Sequence, residues 1–293
     1  MRYWCQKVIH KRGKMNDYIR ESLSYSGLFY RMFRVKKTIK PECVSYGSDK
    51  KQYFCYYEPD RVTSDKIIFW VHGGGWNSGS PKAFDFVGQC IAGAGYRMIS
   101  GGYRLSPKYK YPIQVKDVCA CYNGAIRYLN QKGIETSKVI VVGPSAGAHL
   151  TSIMCYCKKV QKLCHVDISN IIGYVGFGGP YSFRKDQGRT LRILLTQLFK
   201  KGYNWRKGEP VALMSKNHIP MLLIQSRHDG LIQYACAEDF AKKARDLDID
   251  CELYEVVDRK NTHSWYTAGL FMEKRQENKA LDKFFSWIEK TKQ

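Results

Sequence analysis

The sequence predicts an α/β protein: a mostly parallel central sheet with helices on both faces and a small cap from the N-terminus and residues 181–216. Three observations carry that prediction. The strand-like runs are apolar along their whole length, a helical stretch separates each from the next, and the residues with unusual chemistry fall just after strands. Wholly apolar strands have to be buried on both faces, which helical crossovers in a parallel sheet achieve.

In order, KIIFWV (66–71) reads as a strand ending in HGGGW. Residues 81–94 have helical spacing behind Pro81, a residue suited to a first turn. YRMIS (96–100) is the next strand, and 112–132 is a long amphipathic helix with Ala120, Ile126 and Leu129 among its apolar positions. KVIVVG (138–143) runs into GPSAGAHL, where a helix begins. IIGYVGF (171–177), IPMLLIQS (219–226) and CELYEVV (251–257) are further strands, and a final helix is expected over 273–290. Residues 1–48 and 181–216 break the alternation, so the expected organisation is a basic N-terminal cap segment (1–48) and a catalytic domain (49–293) with a cap insertion at about 181–216.

Parallel sheets place their chemistry at the C-terminal ends of the strands. Gly143-Pro144-Ser145-Ala146-Gly147 is a G-x-S-x-G turn between a strand and a helix, a geometry that strains the serine and exposes its hydroxyl. His72-Gly73-Gly74-Gly75-Trp76 can turn backbone N–H groups toward one point, as a developing oxyanion requires. A serine hydroxyl needs an imidazole to take its proton and a carboxylate to orient that imidazole. Among seven histidines, His263 follows the last strand and is the expected base; Asp229 follows MLLIQS and is the expected acid. Asp258 is the competing acid. His149, one helical turn beyond Ser145, is expected to point beneath the turn, His228 to face away from Asp229, and His72 to shape its loop by bonding backbone. No P-loop and no G-x-G-x-x-G occurs, which removes the phosphate and dinucleotide fingerprints.

With these motifs in this order, the chain resembles the α/β-hydrolase esterase and lipase family. The likeness is to its hormone-sensitive-lipase-like members and to the bifunctional feruloyl/acetyl-xylan esterase-like branch. It runs from about 50 to 290 and includes GGYRLSP (101–107) and YPIQVKDV (111–118), with Asp117 at the family's acidic helix position. The resemblance implies the α/β-hydrolase fold and oxyanion donors from the backbone of Gly74, Gly75 and Ala146, supported by His72, Gly73, Trp76, Gly143 and Gly147. Two departures concern the subfamily: Pro144 where many members have an acidic residue, and Gly147-Ala148-His149 where the branch often has Gly-Gly-His.

The expected function is a serine carboxylesterase acting through an acyl-enzyme on short acyl, aryl or acetyl esters, with no metal and no cofactor. The base is expected to titrate near neutrality. An amide hydrolase (formamidase or peptidase) with the same three residues is one alternative, and a binding protein on the same fold another. The net charge of +22 concentrates in residues 1–40 (+9) and 181–216 (+7), which suggests a basic rim favouring acidic esters or an anionic membrane surface. No nucleic-acid-binding motif accompanies it. The basic start of the chain lacks the apolar run of a secretory signal, and eleven scattered cysteines read as reduced thiols, so a cytoplasmic location is expected. The pairs Cys119/Cys121 and Cys155/Cys157 lack zinc-site spacing.

Overall fold

A computed structural model describes residues 17, 19–183, 188–258 and 260–292. Residues 1–16 and 18 of the basic N-terminal segment, and 184–187 of the insertion, lie outside the described residues. Eight strands form one sheet in the order β1-β2-β4-β3-β5-β6-β7-β8. They are β1 (Glu42–Ser45), β2 (Tyr53–Tyr57), β3 (Ile67–Val71), β4 (Arg97–Gly101), β5 (Val139–Pro144), β6 (Ile171–Phe177), β7 (Met221–Gln225) and β8 (Cys251–Glu255). β2 runs antiparallel to β1 and β4, and every other pairing is parallel.

Successive side chains of a strand point to opposite faces. Phe69 and Val71 pack on one side of the sheet, Ile68 and Trp70 on the other. The first side is covered by α3 (Ile113–Gln131), α4 (Ala146–Tyr156) and α8 (Tyr234–Asp246), with the short α5 (Lys158–Cys164) and α7 (Pro210–Leu213) packed at its margin. The second is covered by α2 (Asp85–Gly93) and α10 (Lys279–Lys290). This double burial is why the central strands are apolar throughout.

Four expectations need correction. β1 and β2 lie in a stretch whose short, interrupted pattern hides a hairpin, and the sheet therefore begins before residue 49. In α3 the buried stripe is Val115, Val118, Cys119, Tyr122, Ala125 and Leu129; Ala120 falls outside it and is exposed. The last helix starts at Lys279, because the Asn278 side chain accepts the Leu281 N–H at 2.9 Å and fixes its start there. The cysteines are not all thiols: the β1–β2 register sets Cys43 opposite Cys55, and the two form a disulfide. That pairing depends on strand register, which cysteine spacing does not reveal, and it removes one of the two supports for a cytoplasmic location. Among the described residues, no helix is long and apolar enough to cross a membrane.

Candidate active site

The turn from β5 into α4 places Ser145 at φ 51° and ψ −120°, a left-handed conformation that costs a non-glycine residue on the order of 1–3 kcal/mol. Its N–H donates to the Phe177 carbonyl at 2.7 Å, which ties the turn to β6. Gly147 lets α4 pass close beneath β3: a Cβ there would sit 2.1 Å from the Val71 carbonyl oxygen.

His263 opens the short helix α9 (His263–Thr267) after β8, and Asp229 lies in the loop after β7. His263 Nε2 is 2.8 Å from Ser145 Oγ, and His263 Nδ1 is 2.7 Å from Asp229 Oδ2. The fold thus joins three residues that are 118 and 34 positions apart along the chain. Asp229, with a fully buried side chain, is held further by the Leu231 and Ile232 N–H groups at 2.8 and 2.7 Å, by Gln225 Nε2 at 3.3 Å and by the Tyr266 hydroxyl at 2.5 Å. Burial pulls the His263 pKa down, but the charge and hydrogen bond of Asp229, aided by Glu21, outweigh it, so the pKa lies above the ordinary 6.5. The near-neutral expectation therefore moves upward.

The HGGG loop after β3 carries three consecutive left-handed residues, Gly74 (φ 104°), Gly75 (φ 57°) and Trp76 (φ 62°). Gly73, Gly74, Gly75 and Ala146 line the same cavity as Ser145. His72 stacks on Tyr103 with centroids 4.4 Å apart, and its Nδ1 lies 2.7 Å from the Gly73 carbonyl oxygen. His149 sits beneath the turn, accepting from Trp76 Nε1 at 3.2 Å on Nδ1 and donating from Nε2 to the Gly208 carbonyl at 2.8 Å. Burial drives both imidazoles down to about 4, so they are neutral scaffold groups. His228 faces away toward Asp17, 3.4 Å distant, and Asp258 is not the carboxylate beside His263. Asp117 receives Arg104 through two 2.8 Å bonds, and the Arg104 backbone N–H at 2.9 Å, pinning the segment after β4.

The cavity encloses about 380 Å³. Its walls include Tyr25 and Leu28 of a helix over 19–32 (α1) and Leu191 and Leu194 of α6 (Arg189–Leu198), with Trp76, Phe84 and Ile232. No described lysine or arginine lines it. Among the described residues, the basic rim expected from the charge distribution does not reach the cavity wall: in α6 the leucines turn inward. Three residues at the site escaped the sequence reading. Gln225 and Tyr266 flank Asp229 and His263 in sequence, and Tyr266 lies three residues, about one helical turn, beyond His263. Glu21, 242 positions from His263, left no local signal.

Comparison with known proteins agrees with this architecture. A probable carboxylesterase of Arabidopsis thaliana (carboxylesterase 7) is 29% identical over 142 residues, which are 44% of this chain and 46% of that protein. The chain thus matches under half the length of that relative. Esterase B of Lactobacillus rhamnosis, solved with a tributyrin phosphonate, superposes with a TM-score of 0.74 at 16% identity over 95% of each chain. A hormone-sensitive lipase from a metagenome library gives 0.70 at 18% identity over 96% of this chain and 98% of its own. Both structures share the fold. The BD-FAE family profile matches residues 55–244, which is most of the chain and spans the HGGG loop, Ser145 and Asp229, and the protein therefore belongs to the BD-FAE family of esterase- and lipase-type hydrolases.

Proposed function

We propose that this protein is a serine hydrolase of carboxylic esters, with Ser145 as nucleophile, His263 as general base and Asp229 as its orienting acid. The observation that carries the reading is the unbroken chain from Ser145 Oγ to His263 Nε2 (2.8 Å) and from Nδ1 to Asp229 Oδ2 (2.7 Å). His263 takes the hydroxyl proton as Ser145 Oγ bonds to the ester carbonyl carbon. Negative charge moves to the carbonyl oxygen, where the Gly74, Gly75 and Ala146 N–H groups stabilise it, by about 2.7–4 kcal/mol per donor. The imidazolium returns its proton to the departing alcohol, leaving an acyl-Ser145. Water then attacks by the same steps in reverse and releases the acid.

The wall chemistry supports uncharged esters over acidic ones, because an acyl carboxylate would be buried among leucines with no cation among the described residues beside it. The test is Ser145→Ala assayed on p-nitrophenyl butyrate, with fluorophosphonate labelling of the wild-type protein. kcat should fall about 10⁶-fold and the label should require Ser145. Full activity in the variant would end the proposal. A panel containing an N-formyl amide and short peptides separates ester from amide preference, with esters expected to lead.

A further inference from the structure

We propose that Glu21 is a positioning residue for His263, fixing the base through the first two backbone N–H groups of α9; this rests on the roles given above to Ser145, Asp229 and His263. The His263 N–H donates to Glu21 Oε2 at 2.5 Å and the Ser264 N–H to Glu21 Oε1 at 2.8 Å. Thr262, which precedes α9, makes no side-chain cap, so the carboxylate supplied by α1 takes that place. Two oxygens on two consecutive peptides set the orientation of the His263 backbone, and with it the direction in which the imidazole leaves the chain. Glu21 is 1% exposed, and a carboxylate that deeply buried is tolerated only where its charge is answered.

Other contacts hold α1 in register with the same loop. The hydroxyls of Ser24 and Ser264 lie 2.5 Å apart, Arg20 Nη2 donates to Asn261 Oδ1 at 2.8 Å, and the Arg31 guanidinium sits 5.1 Å over the Trp265 ring. The helix also reaches the loop of the acid. A Cβ on Gly230, the residue after Asp229, would lie 2.8 Å from the Asp17 carbonyl oxygen and 3.0 Å from Glu21 Cβ, so only glycine admits α1 there. α1 therefore spans the two loops that carry the acid and the base.

Glu21 also bears on the charge of the imidazole. The groups facing His263 are Asp229 from the loop after β7, Glu21 and Tyr25 from α1, Ser145 from the turn before α4, and Tyr266 from its own helix. Burial pushes both phenols up, so they stay neutral, and the two carboxylates favour the imidazolium. That is the form His263 takes when it holds the Ser145 proton.

Glu21→Gln keeps the shape and removes the charge. On p-nitrophenyl butyrate, kcat should drop about 10- to 100-fold with KM changing less than about threefold. The acidic limb of kcat/KM should move to lower pH, since losing a nearby negative charge lowers the imidazole pKa. Glu21→Asp keeps the charge but withdraws it by one methylene, so kcat should fall while the limb stays. A folded Glu21→Gln protein with wild-type kcat, or with lowered kcat and an unmoved limb, overturns the proposal. Should Glu21→Gln fail to fold, wild-type kcat in Glu21→Asp overturns it instead. Ser145→Ala run alongside separates the two readings: inactive Ser145→Ala with fully active Glu21 variants sinks only this one, whereas active Ser145→Ala sinks the roles on which it rests.

Discussion

His263 is under two opposed influences. Burial favours the neutral ring, and the Asp229 carboxylate 2.7 Å away favours the charged one; the second wins. A general base must be neutral to accept a proton, so a raised pKa moves the acidic limb of the pH–rate profile to higher pH. The expected outcome is a kcat/KM limb with an apparent pKa above 6.5, read from p-nitrophenyl butyrate hydrolysis between pH 5 and 9. A limb below 6.5 would contradict this balance of charges. Asp229 itself accepts from two backbone N–H groups and two side chains besides the imidazole. Asp229→Asn would present an amide where Nδ1–H needs an acceptor, which favours the wrong tautomer. kcat should fall about 10⁴-fold, with Ser145 still present but poorly labelled by a fluorophosphonate.

Among the elements, α1 has two unlike faces. Glu21 and Leu28 are buried against the hydrolase core, while Leu23 (69% exposed), Phe29 (55%) and Phe33 (88%) just beyond its end point outward, with Arg34, Lys36 and Lys37 nearby in sequence. The side of α1 packed on the hydrolase core and the side turned to solvent are thus opposite faces of one helix. Large apolar side chains flanked by cations suit the boundary of an anionic bilayer. The protein should sediment with vesicles containing phosphatidylserine and not with pure phosphatidylcholine at physiological salt. Replacing Leu23, Phe29 and Phe33 together by serine should abolish the pelleting while leaving esterase activity on soluble substrates within about twofold, since none of the three lines the cavity. Equal pelleting with both vesicle types would remove the idea.

For the whole molecule, the disulfide closes only a 12-residue separation at the sheet edge. Loop-closure entropy gives it roughly 2–4 kcal/mol at most. Reductant, or Cys43→Ser, should therefore lower the melting temperature by about 4–16 °C, at about 2–4 °C per kcal/mol, and leave the reaction intact. Identical melts with and without reductant would show that the pair contributes nothing. The active site lies at the far ends of parallel strands β3, β5, β7 and β8, away from this antiparallel edge, which is why activity and edge stability should separate.

Much of this molecule was legible along the chain, and the reason is local. The central strands β3, β5, β6 and β7 announced themselves because double burial makes them almost wholly apolar, β4 and β8 as more mixed runs between helical stretches, and the turns at Ser145 and at Gly74–Gly75 because backbone crowding leaves few residue types to choose from. Ser145, Asp229 and His263 could be named because each follows such a strand. The Cys43–Cys55 pairing, the apolar cavity wall behind a basic insertion and the reach of Glu21 to His263 could not. Each is a relation between distant segments, fixed by strand register, by the face a helix turns inward or by how closely two backbones approach, and only the folded chain brings those segments together.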